Sequence, residues 1–167
     1  MYRIKYTKEE VSAAIDRLAA QITPSADTVF LVLMNGGAWF AHELTRRLGD
    51  VPLRIEYARL SSYEGKEQGS LCISYMPQIE WRSKDVIVLD DICDTGKTAN
   101  AVNSYLAPYN PASMKLITLL SRKGRYHLTE GIEFMSGIED DSGDFFVGCG
   151  LDDNGIARNL PYIGIVE

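Results

Sequence analysis

Histidine and cysteine are scarce in this chain, and their scarcity removes several kinds of chemistry at once. There are two histidines, His42 and His127, and three cysteines, Cys72, Cys93 and Cys149. The cysteine count is odd and no pair has metal-ligand spacing, which excludes a disulfide framework and a cysteine-held zinc site. The two histidines stand alone and are assigned to structural or surface positions, and Cys93 to a small filler role. Basic residues are also in the minority, 17 Lys and Arg against 23 Asp and Glu, for a net charge of −6. No basic face therefore advertises nucleic acid. No stretch reads as a secretory leader or as an apolar span long enough for a membrane, so the expectation is a reduced, cytoplasmic protein without a membrane partner. Repeats, low-complexity segments and linkers are absent as well. The 167 residues, 46% of them hydrophobic, read as one globular unit over 1–167 with enough apolar surface to bury a core.

What the chain does contain is alternation. Thr7-x-x-Glu10 is a capping box for a helix through Ala20, with Val11, Ala14, Ile15, Leu18 and Ala19 on its inner face. Thereafter apolar runs and helical periodicities take turns. Strands are expected near 29–34, 54–60, 71–75, 85–89 and 115–120, with short ones near 132–135, 145–149 and 162–165; helices are expected over 38–48 and 98–107. Gly49 reads as a stop for the first of these helices. The pattern predicts an α/β fold, a mainly parallel twisted sheet flanked by helices. Ligands of such sheets gather at the carboxyl ends of the strands.

The most informative stretch is Val86 to Ala99, VIVLDDICDTGKTA. An apolar strand ends in Asp90 and Asp91, and Asp94-Thr95-Gly96-Lys97-Thr98 follows before apolar positions Ala99, Val102 and Leu106 recur at helical spacing. A helix starting there directs free N–H groups at the loop, ready for an anion such as phosphate. Thr95 and Thr98 add hydroxyls, and Gly96 permits close backbone approach. Asp90 and Asp91 suit sugar hydroxyls or a Mg²⁺ that carries further phosphates. A P-loop is excluded, because G-x-x-x-x-G-K-[ST] requires glycine where Asp91 stands. A bland reading, solvated acids at a sheet edge, explains one Asp more readily than three acids and two threonines within nine residues, where like charges repel. One strand earlier, Asn35-Gly36-Gly37 makes a second tight turn between strand and helix, with open amides suited to pyrophosphate.

The order of apolar strand, two acids, x-x-D-T-G-x-T resembles the phosphoribosyl-pyrophosphate (PRPP) motif of type I phosphoribosyltransferases, and its wording is similar to the hypoxanthine-guanine branch. The resemblance implies that Asn35 to Gly37 is the pyrophosphate loop, with Asn35 where the family usually has lysine and a non-proline cis bond at Met34–Asn35. It also implies a catalytic loop carrying Ser62 and Tyr63, which closes over the reacting centre. Base binding is assigned to the strand end at Arg122 and Lys123, where the family donates a hydrogen bond to the exocyclic oxygen of a 6-oxopurine, and to Phe145 (stacking) and Phe146 (backbone contact). Asp152 is assigned to Mg²⁺ alongside Asp90 and Asp91, Arg158 to pyrophosphate, and Asp94 to the general base. The implied fold includes a small base-binding hood built from the chain ends. The implied assembly is a homodimer or homotetramer.

The expected function is purine salvage: Mg²⁺-dependent transfer of the 5-phosphoribosyl group from PRPP to hypoxanthine and guanine, giving IMP or GMP and pyrophosphate. Alternatives are a transferase for xanthine, adenine or a pyrimidine, which would share every PRPP contact, and a non-catalytic PRPP-binding regulator, whose known kind carries a DNA-binding module for which no basic stripe is present. A phospho-acceptor receiver domain also groups acids at strand ends, but requires neither the Gly-Gly turn nor the paired Phe.

Overall fold

The computed structural model describes residues 1–62 and 71–166. Its centre is a six-stranded sheet of order β4-β3-β2-β5-β6-β7, in which β2 (Thr28–Met34), β3 (Arg54–Ser62), β5 (Asp85–Cys93), β6 (Ser113–Arg122) and β7 (Ile132–Asp140) run parallel and only β4 (Leu71–Tyr75) is antiparallel, to β3. Strand β2, TVFLVLM, is buried along almost its whole length, as expected of a strand covered on both faces. Its alternate residues divide between two cores. Phe30 and Val32 join Phe40, Leu44, Ile87 and Leu89 beneath helices α1 (Lys8–Ala19) and α2 (Gly37–Thr45), while Val29, Leu31 and Leu33 join Ala99, Val102 and Leu106 of α3 (Lys97–Leu106) on the other face.

A second, three-stranded antiparallel sheet of order β1-β9-β8 stands over the carboxyl end of the first. It pairs β1 (Tyr2–Tyr6) from the beginning of the chain with β9 (Ile163–Val166) from its end, and adds β8 (Phe146–Val147). This is the hood that the resemblance implies. Strand β1 is absent from the sequence expectation, because its partner lies more than 150 residues away and YRIKY carries no apolar run.

Several elements are longer or shorter than expected. Strand β5 continues through Asp90 and Asp91 to Cys93 rather than stopping at 89, since pairing with β6 extends to Cys93↔Ser121. Strand β7 reaches Asp140 despite Ser136 and Gly137, drawn on by eight registered pairs with β6; tertiary pairing here outweighs weak local propensity. Helix α2 stops at Thr45, before the Gly49 stop, and β8 keeps only two of the five expected residues.

Candidate active site

The register of the large sheet creates the crevice. Pairing of β2 with β5 ends at Val32↔Leu89, whereas β5 stays paired to β6 four residues further. Asp90 and Asp91 therefore lie within β5 but face the gap left by the departing β2, next to the turn at Asn35–Gly37. The Met34–Asn35 bond is cis. A Cβ on Gly36 would stand 1.9 Å from Asp91 Oδ2, so only glycine lets this loop rest against that carboxylate. Main-chain amides hold both acids: Asp91 N donates to Asp90 Oδ1 (2.9 Å) and Ile92 N to Asp91 Oδ1 (2.7 Å). Burial, then the neighbouring Asp91 charge, pushes the Asp90 carboxyl well above its ordinary range. Burial raises Asp91 as well, moderated by its hydrogen bonds and by the positive Arg158. Two adjacent acids whose carboxyls burial pushes up are a suitable donor set for a hard divalent cation, which binds one or two carboxylates and completes its shell with water and substrate phosphate.

The next loop turns through Gly96, whose φ of +83° begins α3 at Lys97. A Cβ there would also meet His127 O at 2.6 Å. That neighbouring loop braces the turn: His127 N donates to Thr95 O (3.1 Å) and Asn100 Nδ2 to His127 O (2.8 Å). Asp90 to Ala99 and Leu116 line a cavity of about 230 Å³ into which the first turn of α3 opens. Thr95 to Thr98 are thus gathered at a helix N-terminus, the arrangement that binds phosphate.

A second cavity, of about 270 Å³, is lined by Ile92, Asp94, Arg122, Phe145, Phe146, Leu151 and Asp152. Asp94 belongs to both cavities. Its Oδ1 is buried and, among the described residues, accepts no hydrogen bond, although Arg125 Nε lies 3.4 Å away and Arg122 Nε 4.0 Å. Phe145 is 59% exposed at the cavity mouth, while Phe146 is buried beneath it. Arg158 Nη2 sits 2.6 Å from Asp152 Oδ1 and its Nη1 donates to Gly150 O (2.7 Å), so Asp152 and Arg158 meet as an ion pair.

Among the described residues, one expected site residue is placed elsewhere. Lys123 is 67% exposed and paired with Glu139 at 3.5 Å, outside the cavity, because β6 ends at Arg122, which lines the cavity, and Lys123 already belongs to the turn that follows. Tyr63 lies outside the described residues, and Ser62 closes β3 with its backbone paired to Leu71. In the other direction, Arg125 near Asp94 and the Tyr6–Asp140 contact beside the hood are not foreseen from the sequence, where neither belongs to a motif.

The chain resembles known proteins along nearly its whole length. The family model described as phosphoribosyl transferase domain matches residues 5–154. A hypoxanthine-guanine phosphoribosyltransferase of Staphylococcus aureus is 29% identical over 166 residues, covering 96% of this chain and 91% of the relative. One of Mycobacterium tuberculosis is 28% identical over 172 residues, covering 96% and 84%. Among solved structures, a hypoxanthine phosphoribosyltransferase of S. aureus superimposes with a TM-score of 0.87 at 28% identity, covering 99% of this chain and 91% of that one. A hypoxanthine-guanine phosphoribosyltransferase of Bacillus anthracis, with a HEPES molecule in its active site, gives 0.86 at 26%, covering 99% and 98%. With a family match across most of its length, and acids, glycine turn and helix N-terminus converging at one sheet edge, the chain belongs to the phosphoribosyl transferase domain family.

Proposed function

We propose that this protein transfers the 5-phosphoribosyl group of PRPP to a 6-oxopurine, hypoxanthine and guanine, releasing pyrophosphate and yielding IMP or GMP. The observation that carries this reading is the sharing of Asp94 by two cavities, one built for a phosphate and one with an aromatic at its mouth. A sugar phosphate in the first and a planar base in the second meet at that carboxylate. The amides and hydroxyls of Thr95 to Thr98 hold the 5′-phosphate, Asp90 and Asp91 take the ribose hydroxyls, and Asn35 to Gly37 with Arg158 take the pyrophosphate. Phe145 stacks on the base, with the main chain at Phe146 along its edge. Asp94 accepts the proton that the purine ring gives up as its nitrogen attacks the anomeric carbon.

Asp90 and Asp91 are the residues that would hold Mg²⁺, whose chemistry is to neutralise the departing pyrophosphate; Asp152, paired with Arg158 and lining the other cavity, does not join them, and no group of three acids able to hold a metal occurs among the described residues. The carboxylates themselves also oppose the positive charge that develops on the ribose ring as the glycosidic bond stretches. Assembly as a homodimer or homotetramer belongs to the same reading, and light scattering on the purified protein tests it.

Mononucleotide formation from PRPP, Mg²⁺ and hypoxanthine or guanine tests the function. Turnover with either supports it; turnover with adenine, xanthine or uracil alone reassigns the second cavity, and PRPP binding with no turnover makes the protein a regulator.

A further inference from the structure

An arginine that reads a ligand turns its two-nitrogen fork toward it. Arg122 does not. Its Nη1 donates to the Ser142 carbonyl at 2.7 Å and its Nη2 donates to the Asp144 carbonyl. The guanidinium carbon lies 4.3 Å from the centroid of the Phe146 ring, and the residue is 8% exposed. The same turn is pinned from the opposite side by the hood and by the end of β7. Ser142 N donates to Asp140 Oδ1 (2.8 Å) and Ser142 Oγ donates to the same oxygen. Tyr6 donates its hydroxyl to Asp140 Oδ2 (2.6 Å), and Lys5 Nζ donates to Asp144 Oδ2 (3.0 Å). The residue that follows is Phe145. Only Nε of Arg122 remains, buried and without a hydrogen-bond partner among the described residues, 4.0 Å from Asp94 Oδ1, which is itself ion-paired with Arg125 Nε at 3.4 Å.

We propose that Arg122 is a positioning residue, a strap whose fork fixes the 142–144 main chain and thereby sets Phe145 over the second cavity, leaving only its buried Nε beside Asp94. The consequences for the base rest on the proposed function; the strap itself does not. Two carbonyls two residues apart are met here by two separate nitrogens held in one plane. A lysine ammonium at this position keeps the charge but concentrates its donors on one nitrogen, so it cannot reproduce both contacts with the same rigidity.

The experiment compares the unmutated protein with Arg122→Lys and Arg122→Gln. Amide hydrogen exchange on the ligand-free proteins is expected to accelerate at least about tenfold over 141–146 in both variants, with β2 and β5 unchanged; unaltered exchange over 141–146 overturns the strap. In steady-state assays the KM for the base is expected to rise at least about tenfold in both variants while the KM for PRPP stays within about twofold. Arg122→Lys retaining the wild-type KM for the base would show that charge alone suffices, against the proposal. Should both variants unfold, arginine side-chain NMR of the unmutated protein decides. A guanidinium shifted by the Phe146 ring current, with slowly exchanging and inequivalent Nη protons, is expected; a freely averaging one overturns it. If the unmutated protein turns over no base, the proposed function fails while the exchange and NMR readouts still judge the strap.

Discussion

Asp94 stands where the phosphate cavity and the base cavity meet, with an oxygen that accepts no hydrogen bond among the described residues and lies 3.4 Å from Arg125 Nε. In Asp94→Asn the amide preserves shape but accepts a proton poorly. Turnover is expected to fall by about 10²–10⁴-fold, with the dissociation constant for PRPP changed by less than about threefold, as isothermal calorimetry can check. Equal turnover would remove Asp94 from the base role. Gly36 makes the complementary case. A methyl group there lands 1.9 Å from Asp91 Oδ2, so Gly36→Ala should abolish measurable PRPP binding while leaving the circular dichroism spectrum intact. Both positions are legible in the sequence because acids, glycine and threonine concentrate in short motifs. The orientation of Arg122 is not legible. Its partners are main-chain carbonyls 20 and 22 residues later, and a carbonyl leaves no trace in a residue pattern.

Among the elements, α1 follows most directly from local chemistry. Thr7 Oγ1 accepts from Glu10 N (3.2 Å) while Glu10 Oε2 accepts from Thr7 N (2.8 Å), completing the capping box read from T-x-x-E. Thr7→Ala should lower stability by about 0.5–2 kcal/mol, measured by urea unfolding, and leave KM values unchanged because Thr7 lines neither cavity. Phe40, fully buried between α2 and the sheet, is a harsher position. Phe40→Ala is expected to destabilise by about 3–5 kcal/mol. Buried parallel strands such as β2 announce themselves as apolar runs, and helices as a 3.6-residue rhythm. Ends of strands are less legible: how far β5 and β7 extend depends on what β6 offers alongside, as the register to Cys93↔Ser121 and Arg122↔Asp140 shows.

At the scale of the molecule, the two sheets are joined by charge as well as by the chain. Asp140 closes β7 in the large sheet and receives Tyr6 from the small one. Its burial alone would raise its carboxyl pKa, but hydrogen bonds from Ser142 and Tyr6 and the charge of Lys5 outweigh burial and hold it below the ordinary value. A carboxyl depressed in the folded state contributes stability that is present above its unfolded value of about 3.9 and is lost as the pH falls through the folded value. Asp140→Asn should therefore lower the thermal midpoint at neutral pH, and the gap between the two proteins should narrow as the pH drops below about 4; a gap independent of pH would exclude the charge as its cause. The contact is invisible in the sequence because it joins residues 134 apart, whereas the layered α/β plan around it follows from alternation alone. The claim that unites the cavities, the acids and the hood is base-selective phosphoribosyl transfer. It is tested most directly by offering the protein PRPP, Mg²⁺ and an equimolar mixture of hypoxanthine, guanine, xanthine, adenine and uracil, and identifying the nucleotide by mass spectrometry. The account predicts IMP and GMP as the products; XMP, AMP or UMP as the dominant product, or no nucleotide at all, would contradict it.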